Sequence, residues 1–177
     1  VKGVRIVLLC EDSQTDSFVR RFLKKRKWRH RDIETAPLPH GSQSAEQWVR
    51  ERYPLELKAV RVKRGTRLLV VIDADSLSTE QRRAQLDEQC RKEGVPPRAP
   101  EDPAIVIVPR SNIETWFAYL DGAVVDEQRQ YPKLNRTGDC ERHARSLHKM
   151  CHDRQALRDP APGSLREACI EYGGLAS

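Results

Sequence analysis

Several common devices are missing from this chain of 177 residues. No apolar run approaches the roughly 20 residues that a membrane-spanning helix needs, and the first residues carry no signal-peptide pattern. No Cys-x-x-Cys occurs, and the five cysteines are an odd number. Cys10 reads as a small buried hydrophobe, and the expected setting is reduced and cytoplasmic. No Gly-x-x-x-x-Gly-Lys-[Ser/Thr] loop is present, so the chain itself has no P-loop for ATP. There is no internal repeat. Cys140, His143, His148, Cys151 and His152 crowd one stretch, but their spacing is not that of a common zinc module. Cys140, Ala144, Leu147 and Cys151 instead form a helical apolar stripe.

What is present is charge. Charged residues make up 33% of the chain and the formal net charge is +6, which suits a partner rich in phosphate. The hydrophobic fraction of 38% is on the low side but sufficient for one globular domain. Strand-like apolar runs alternate with helical patterns, which predicts an α/β fold. The expected fold is a mainly parallel four-stranded sheet with helices on both faces, plus C-terminal helices. Strands are predicted over Val4 to Cys10, Asp32 to Leu38 (stopping at Pro39), Arg67 to Ile72 and Ala104 to Val108. Helices are predicted from about Asp16 to Lys27, after a Ser44–Gln47 capping box, from Ser78 or Thr79 to about Lys92, and from Asn112 to about Leu120. Pro54 should end or kink the second helix. Two further helices are expected over Asp139 to Cys151 and Ser164 to Tyr172. Residues 1–121 form the core and 122–177 a helical extension packed on it.

Three of these strands run into acidic residues: Glu11-Asp12 after the first, Asp73-Ala74-Asp75 after the third, and Ser111-Asn112-Ile113-Glu114 after the fourth. Parallel strands share one carboxyl edge, where open α/β sheets place their ligands. Asp73 and Asp75, two apart on an extended strand end, aim at one place. Carboxylates gathered so closely repel unless a cation lies between them, and magnesium or manganese prefers such oxygen donors.

This arrangement resembles the Toprim domain of type IA topoisomerases, bacterial primases, small maturation ribonucleases and OLD-type nucleases. The family signature is a glutamate after the first strand and an Asp-x-Asp after the third, matched here by Glu11 and Asp73/Asp75. Ser111 and Glu114 are similar to the serine-and-glutamate motif of the OLD-type branch. Ile113-Glu114-Thr115-Trp116-Phe117 also looks like small stand-alone RloB-like Toprim proteins of bacterial anti-phage loci. The resemblance covers about residues 4–121. It implies a Mg2+- or Mn2+-dependent nuclease with one or two ions. Glu11, Asp73, Asp75, Glu114 and Ser111 would form the catalytic set, and the four carboxylates, joined by Asp16, would hold metal. It also implies a separate ABC-type ATPase partner. Two departures stand out: Asp12 replaces the usual Gly, and Thr15 occupies the place of the usual second acid. Asp16 follows one residue later, as a metal ligand or a helix N-cap.

Nucleic acid is the expected partner, DNA before RNA, with no membrane; a homo-oligomer stays open. Arg110, beside the acidic edge, and the basic run containing Lys24, Lys25, Lys27 and Arg29 are its candidate contacts. A second basic group, Lys58, Arg61, Lys63, Arg64 and Arg67, should lie at the opposite end of the sheet. Two rival readings remain. One is a receiver-like signalling module phosphorylated on Asp73, against which no fifth strand bearing a lysine is evident. The other is a catalytically silent Toprim docking protein.

Overall fold

A computed structural model describes residues 4–37, 44–152 and 156–175, with the side chain of residue 152 also outside the description. The sheet has four parallel strands in the order β2-β1-β3-β4: β1 (Arg5–Cys10), β2 (Ile33–Thr35), β3 (Thr66–Val71) and β4 (Ala104–Ile107). The helices are α1 (Ser13–Lys25), α2 (Ala45–Val62), α3 (Thr79–Lys92), α4 (Ile113–Leu120), α5 (Glu141–His152) and α6 (Gly163–Gly173). The predicted α/β class and parallel sheet are therefore present. No strand follows β4 among the described residues.

Each sheet face is covered. On one, Ile6, Leu8, Leu69 and Val71 pack with Phe18 and Phe22 of α1, Trp116 of α4, and Leu147, Leu165 and Tyr172 of the C-terminal helices. On the other, Leu9, Leu68, Val70 and Val106 pack with Val49, Tyr53 and Leu57 of α2 and Leu86 of α3. Strands covered on both sides read as continuous apolar runs, which is why β3 and β4 were so visible. Each fully buried large side chain contributes about 1.5–3 kcal/mol. No helix among the described residues is long and apolar enough to cross a membrane.

The chain leaves β1 through α1 toward β2, then returns through α2 to β3. The strand order thus reverses between β1 and β3, and α1 and α2 cover opposite faces. Such a switch point opens a crevice at the carboxyl ends of the two strands.

Several boundaries differ from expectation. Helix α1 begins at Ser13 rather than Asp16, because the Asp12 side chain accepts from the Thr15 amide at 2.8 Å and caps it. Strand β2 is shorter than predicted, and Leu38 and Pro39 lie outside the described residues. Helix α2 runs through Pro54 and ends only after Val62. Cys151 and Cys169 form a disulfide between α5 and α6, Cα atoms 5.3 Å apart, so the expectation of an all-thiol chain is corrected. Cys10, Cys90 and Cys140 are free and buried. Cys151 is thereby withdrawn from the zinc grouping. His143 stacks on Phe117 and sets its Nε2 3.0 Å from Asp121 Oδ2, joining α5 to the end of α4.

Candidate metal centre

Pairing of Cys10 with Val71 places the first residues beyond β1 and β3 side by side. Glu11 Oε1 accepts from the Asp73 backbone amide at 2.6 Å, tying the two strand ends together. The β3–β4 ladder continues past the strands: Ala74 N donates to Pro109 O at 2.8 Å and Asp75 N to Ser111 O at 3.3 Å. Ser111 and Glu114 are consequently brought alongside the Asp-x-Asp. Both are buried. Helices α1, α3 and α4 all begin at this edge, and their N-terminal amides offset part of its negative charge.

The carboxylates nonetheless strain against one another. Burial pushes the Glu11 carboxyl up to about 7, against the pull of the Asp73 amide, with Asp75 and Asp12 adding repulsion. Asp73 is raised well above the ordinary range by burial and then by Glu11, Glu114 and Asp75. Asp75 is raised by burial, which outweighs Arg82 beside it. An all-oxygen donor set in which Glu11, Asp73 and Asp75 are raised first by burial and then by neighbouring acids fits a hard divalent cation. The set converges without closing: among the described residues no three Asp, Glu, His or Cys side chains are already grouped to hold an ion.

The predicted residues thus divide. Glu11, Asp73, Asp75, Ser111 and Glu114 share the edge. Asp16 lies one turn inside α1, where Arg20 Nε holds it at 3.0 Å and the Thr35 hydroxyl also donates to it. It is neither the N-cap nor a free ligand; Asp12 has taken the cap, and Asp16 has become half of an i,i+4 pair. Arg110 follows the edge on the β4 side, partly buried, lining a groove with Val125, Glu127 and Pro162. Lys24, Lys25, Lys27 and Arg29 are at or beyond the far end of the 13-residue α1, about 19 Å along its axis from the carboxylates. Lys25 pairs with Glu141 at 2.6 Å and Arg29 with Asp32 at 2.5 Å.

Three residues at the edge were not legible in the sequence. Gln14 donates from Nε2 to Glu114 Oε1 at 2.7 Å and accepts from the Leu134 amide at 3.0 Å. It joins the helical extension to the site. Lys133, next in that same segment, lies 3.2 Å from Asp12 Oδ2 and keeps 72% of its side chain exposed. Its ammonium is favoured first by Asp12 and also by Glu114 and Asp73. Burial works against the Asp12 charge, but Thr15 and Lys133 hold its pKa below the ordinary value. Arg82, one turn into α3, is buried and donates to Asp75 Oδ2 at 3.1 Å. Neither Gln14 nor Lys133 has a sequence signal of its own; each acquires meaning from a contact about 100 residues distant or more.

Comparison with protein-family models, with curated proteins and with solved structures found no match.

Proposed function

We propose that this chain is a Toprim-type nuclease or nuclease subunit that hydrolyses phosphodiester bonds in nucleic acid with Mg2+ or Mn2+. The observation that carries this reading is the junction of Glu11 with the Asp73 amide at the β1/β3 switch point, with Asp75, Ser111 and Glu114 on the same edge. Asp73, Asp75 and Glu11 would hold one ion, and Glu114 would complete a second site. Bound there, the ion supplies neutralisation of the phosphate charge and a lowered pKa for water. By analogy with the topoisomerase branch, Glu11 would also be a candidate general acid or base. Lys133, mostly exposed and paired with Asp12 at 3.2 Å, would meet the phosphate, and Ser111 would face the metal or phosphate. DNA is favoured over RNA. A separate ABC-type ATPase partner and a cytoplasmic anti-phage role accompany this reading.

The test is cleavage of plasmid DNA and of RNA with Mg2+ or Mn2+. Wild type should cleave, and Glu11→Gln, Asp73→Asn and Asp75→Asn should not; activity that survives all three places the chemistry elsewhere. The silent docking alternative has one observation in its favour, the incomplete grouping of the carboxylates. Titration with Mn2+ separates the two, since a silent protein binds none at millimolar concentration.

A further inference from the structure

A guanidinium taken out of water costs several kcal/mol unless its donors and charge are met. Arg82 meets that requirement at both terminal nitrogens with residues of two other segments, while its buried Nε finds no hydrogen-bond partner among the described residues. Its side chain is only 5% exposed. Nη1 donates to Glu46 Oε1, and also to Gln85 Oε1 at 2.8 Å. Nη2 donates to Asp75 Oδ2 at 3.1 Å and to the Ala74 carbonyl at 3.4 Å. Glu46, in the first turn of α2, also receives Arg50 Nε at 3.1 Å. Two acids and two bases therefore form a neutral group reaching from α2 to the carboxylate edge.

Asp75 is the member that needs such support. Its backbone has φ +54, in the left-handed region that Asp tolerates better than most residues. Its side chain is 54% exposed and would otherwise move among rotamers. Arg82 restrains Oδ2. Glu46 takes up the Arg82 charge, so Asp75 is oriented without being neutralised.

We infer that Arg82 is a positioning residue of the candidate metal centre, aiming the Asp75 carboxylate at the edge, and that Glu46 is the counter-charge that keeps Asp75 available to a divalent cation. This rests on the metal reading of the edge. Two substitutions separate the roles. Arg82→Lys keeps the charge but loses the planar fork that spans Glu46, Asp75 and Ala74. Glu46→Gln keeps an acceptor for the fork but leaves the Arg82 charge to fall on Asp75.

The experiment is Mn2+ binding by the full chain, followed by the electron paramagnetic resonance of the free ion, alongside thermal melts. Both variants should bind Mn2+ about tenfold more weakly than wild type, the usual scale for partners that orient a metal ligand. Asp73→Asn should lose binding altogether. Wild-type affinity in both variants, with Asp73→Asn inactive in binding, overturns the positioning role and leaves the metal centre standing. A lowered melting temperature with unchanged affinity also overturns it, since that is the signature of a purely structural ion pair. Failure of wild type to bind Mn2+ at millimolar concentration overturns the metal reading itself, and this inference with it. Should Arg82→Lys fail to fold, Glu46→Gln decides, because it leaves every acceptor of Arg82 in place.

Discussion

At the amino end of the sheet, cations are spent on structure. Arg61 grips Asp102 with two nitrogens and donates to the carbonyls of Pro96 and Pro97. Arg26 and Arg67 donate to the carbonyls of Tyr172, Leu175 and Gly174, closing the C-terminal end of α6. Arg98 and Arg83 satisfy the Ala104 and Val106 carbonyls on the free edge of β4, an edge that would otherwise invite another strand. At the carboxyl end the accounting is different. Among the described residues no cation is bonded to Glu11 or Asp73; burial first, and neighbouring acids after it, raise both pKa values. Basic residues that satisfy carbonyls and carboxylates explain a fold; acids buried beside other acids call for a ligand. The net charge of +6 therefore says less about nucleic acid than where the unpaired charge lies.

The largest effect should come from removing the crowding together with the chemistry. Asp73→Asn and Glu11→Gln should each reduce metal-dependent cleavage by at least about 100-fold, while leaving the fold intact. Initial rates on plasmid DNA at saturating Mg2+ check this. Equal loss on substituting Arg61 would break the distinction between the two ends.

The pH dependence of the metal-free protein comes next. Glu11 is an acid whose folded pKa, about 7, exceeds its ordinary 4.5. Its protonated form is the one the fold favours. The stabilisation is therefore complete below about pH 4.5 and is lost as the pH rises through 7, by on the order of 3 kcal/mol. Asp73 shifts in the same direction. Thermal melts in a chelator should give a lower midpoint at pH 8 than at pH 5. Asp73→Asn should flatten that slope by removing one of the two raised carboxyls, and Mn2+ should restore the midpoint at pH 8. A midpoint that climbs steadily to pH 8 in wild type would mean the fold does not favour the protonated forms of Glu11 and Asp73.

Legibility in the sequence follows the same division. Apolar runs buried on both faces are a local signal, so β1, β3 and β4 and the acids that follow them could be located without a structure. Capping is local too: Ser78 with Gln81 closes a capping box on α3, and Ser44 accepts from the Gln47 amide. The sequence left Asp16 open as a metal ligand or a helix N-cap, and the structure gives the cap to Asp12. Asp12 and Asp16 are both good N-caps, and the choice turns on Arg20 and Thr35 drawing Asp16 away. Charge partners were the least legible. Arg82, Gln14 and Lys133 owe their roles to contacts with Glu46, Glu114 and Asp12 across the fold, which no spacing rule encodes. The disulfide between Cys151 and Cys169 was missed for the same reason: an odd cysteine count says nothing about which helices meet.

Arg61→Ala should then lower stability by about 1–3 kcal/mol, because Asp102 loses its guanidinium partner and two prolyl carbonyls lose their donor. Urea unfolding measures this, and the cleavage rate per folded molecule should stay unchanged. Lys133→Ala should do the reverse. It is mostly exposed and costs little stability, yet it removes the cation nearest Asp12 and should slow cleavage by roughly 100-fold if it meets the phosphate.

The smallest effect is expected from the basic run that the sequence made conspicuous. Lys24 and Lys27 sit at the far end of α1, about 19 Å from the carboxylates, beyond the screening length of roughly 8 Å at physiological salt. Lys27 has φ +68 just past the helix, so it also serves a turn. A Lys24→Ala, Lys27→Ala double variant should cleave a short oligonucleotide at the wild-type rate. On a long duplex its KM should rise no more than a few-fold, with a slightly shallower salt dependence, because each lost phosphate contact removes about 0.9 from the log–log slope. Competition between short and long substrates at two salt concentrations makes the comparison directly. A large loss on the short substrate would move the reacting phosphate toward the amino end of the sheet, and with it the whole assignment of the carboxylate edge.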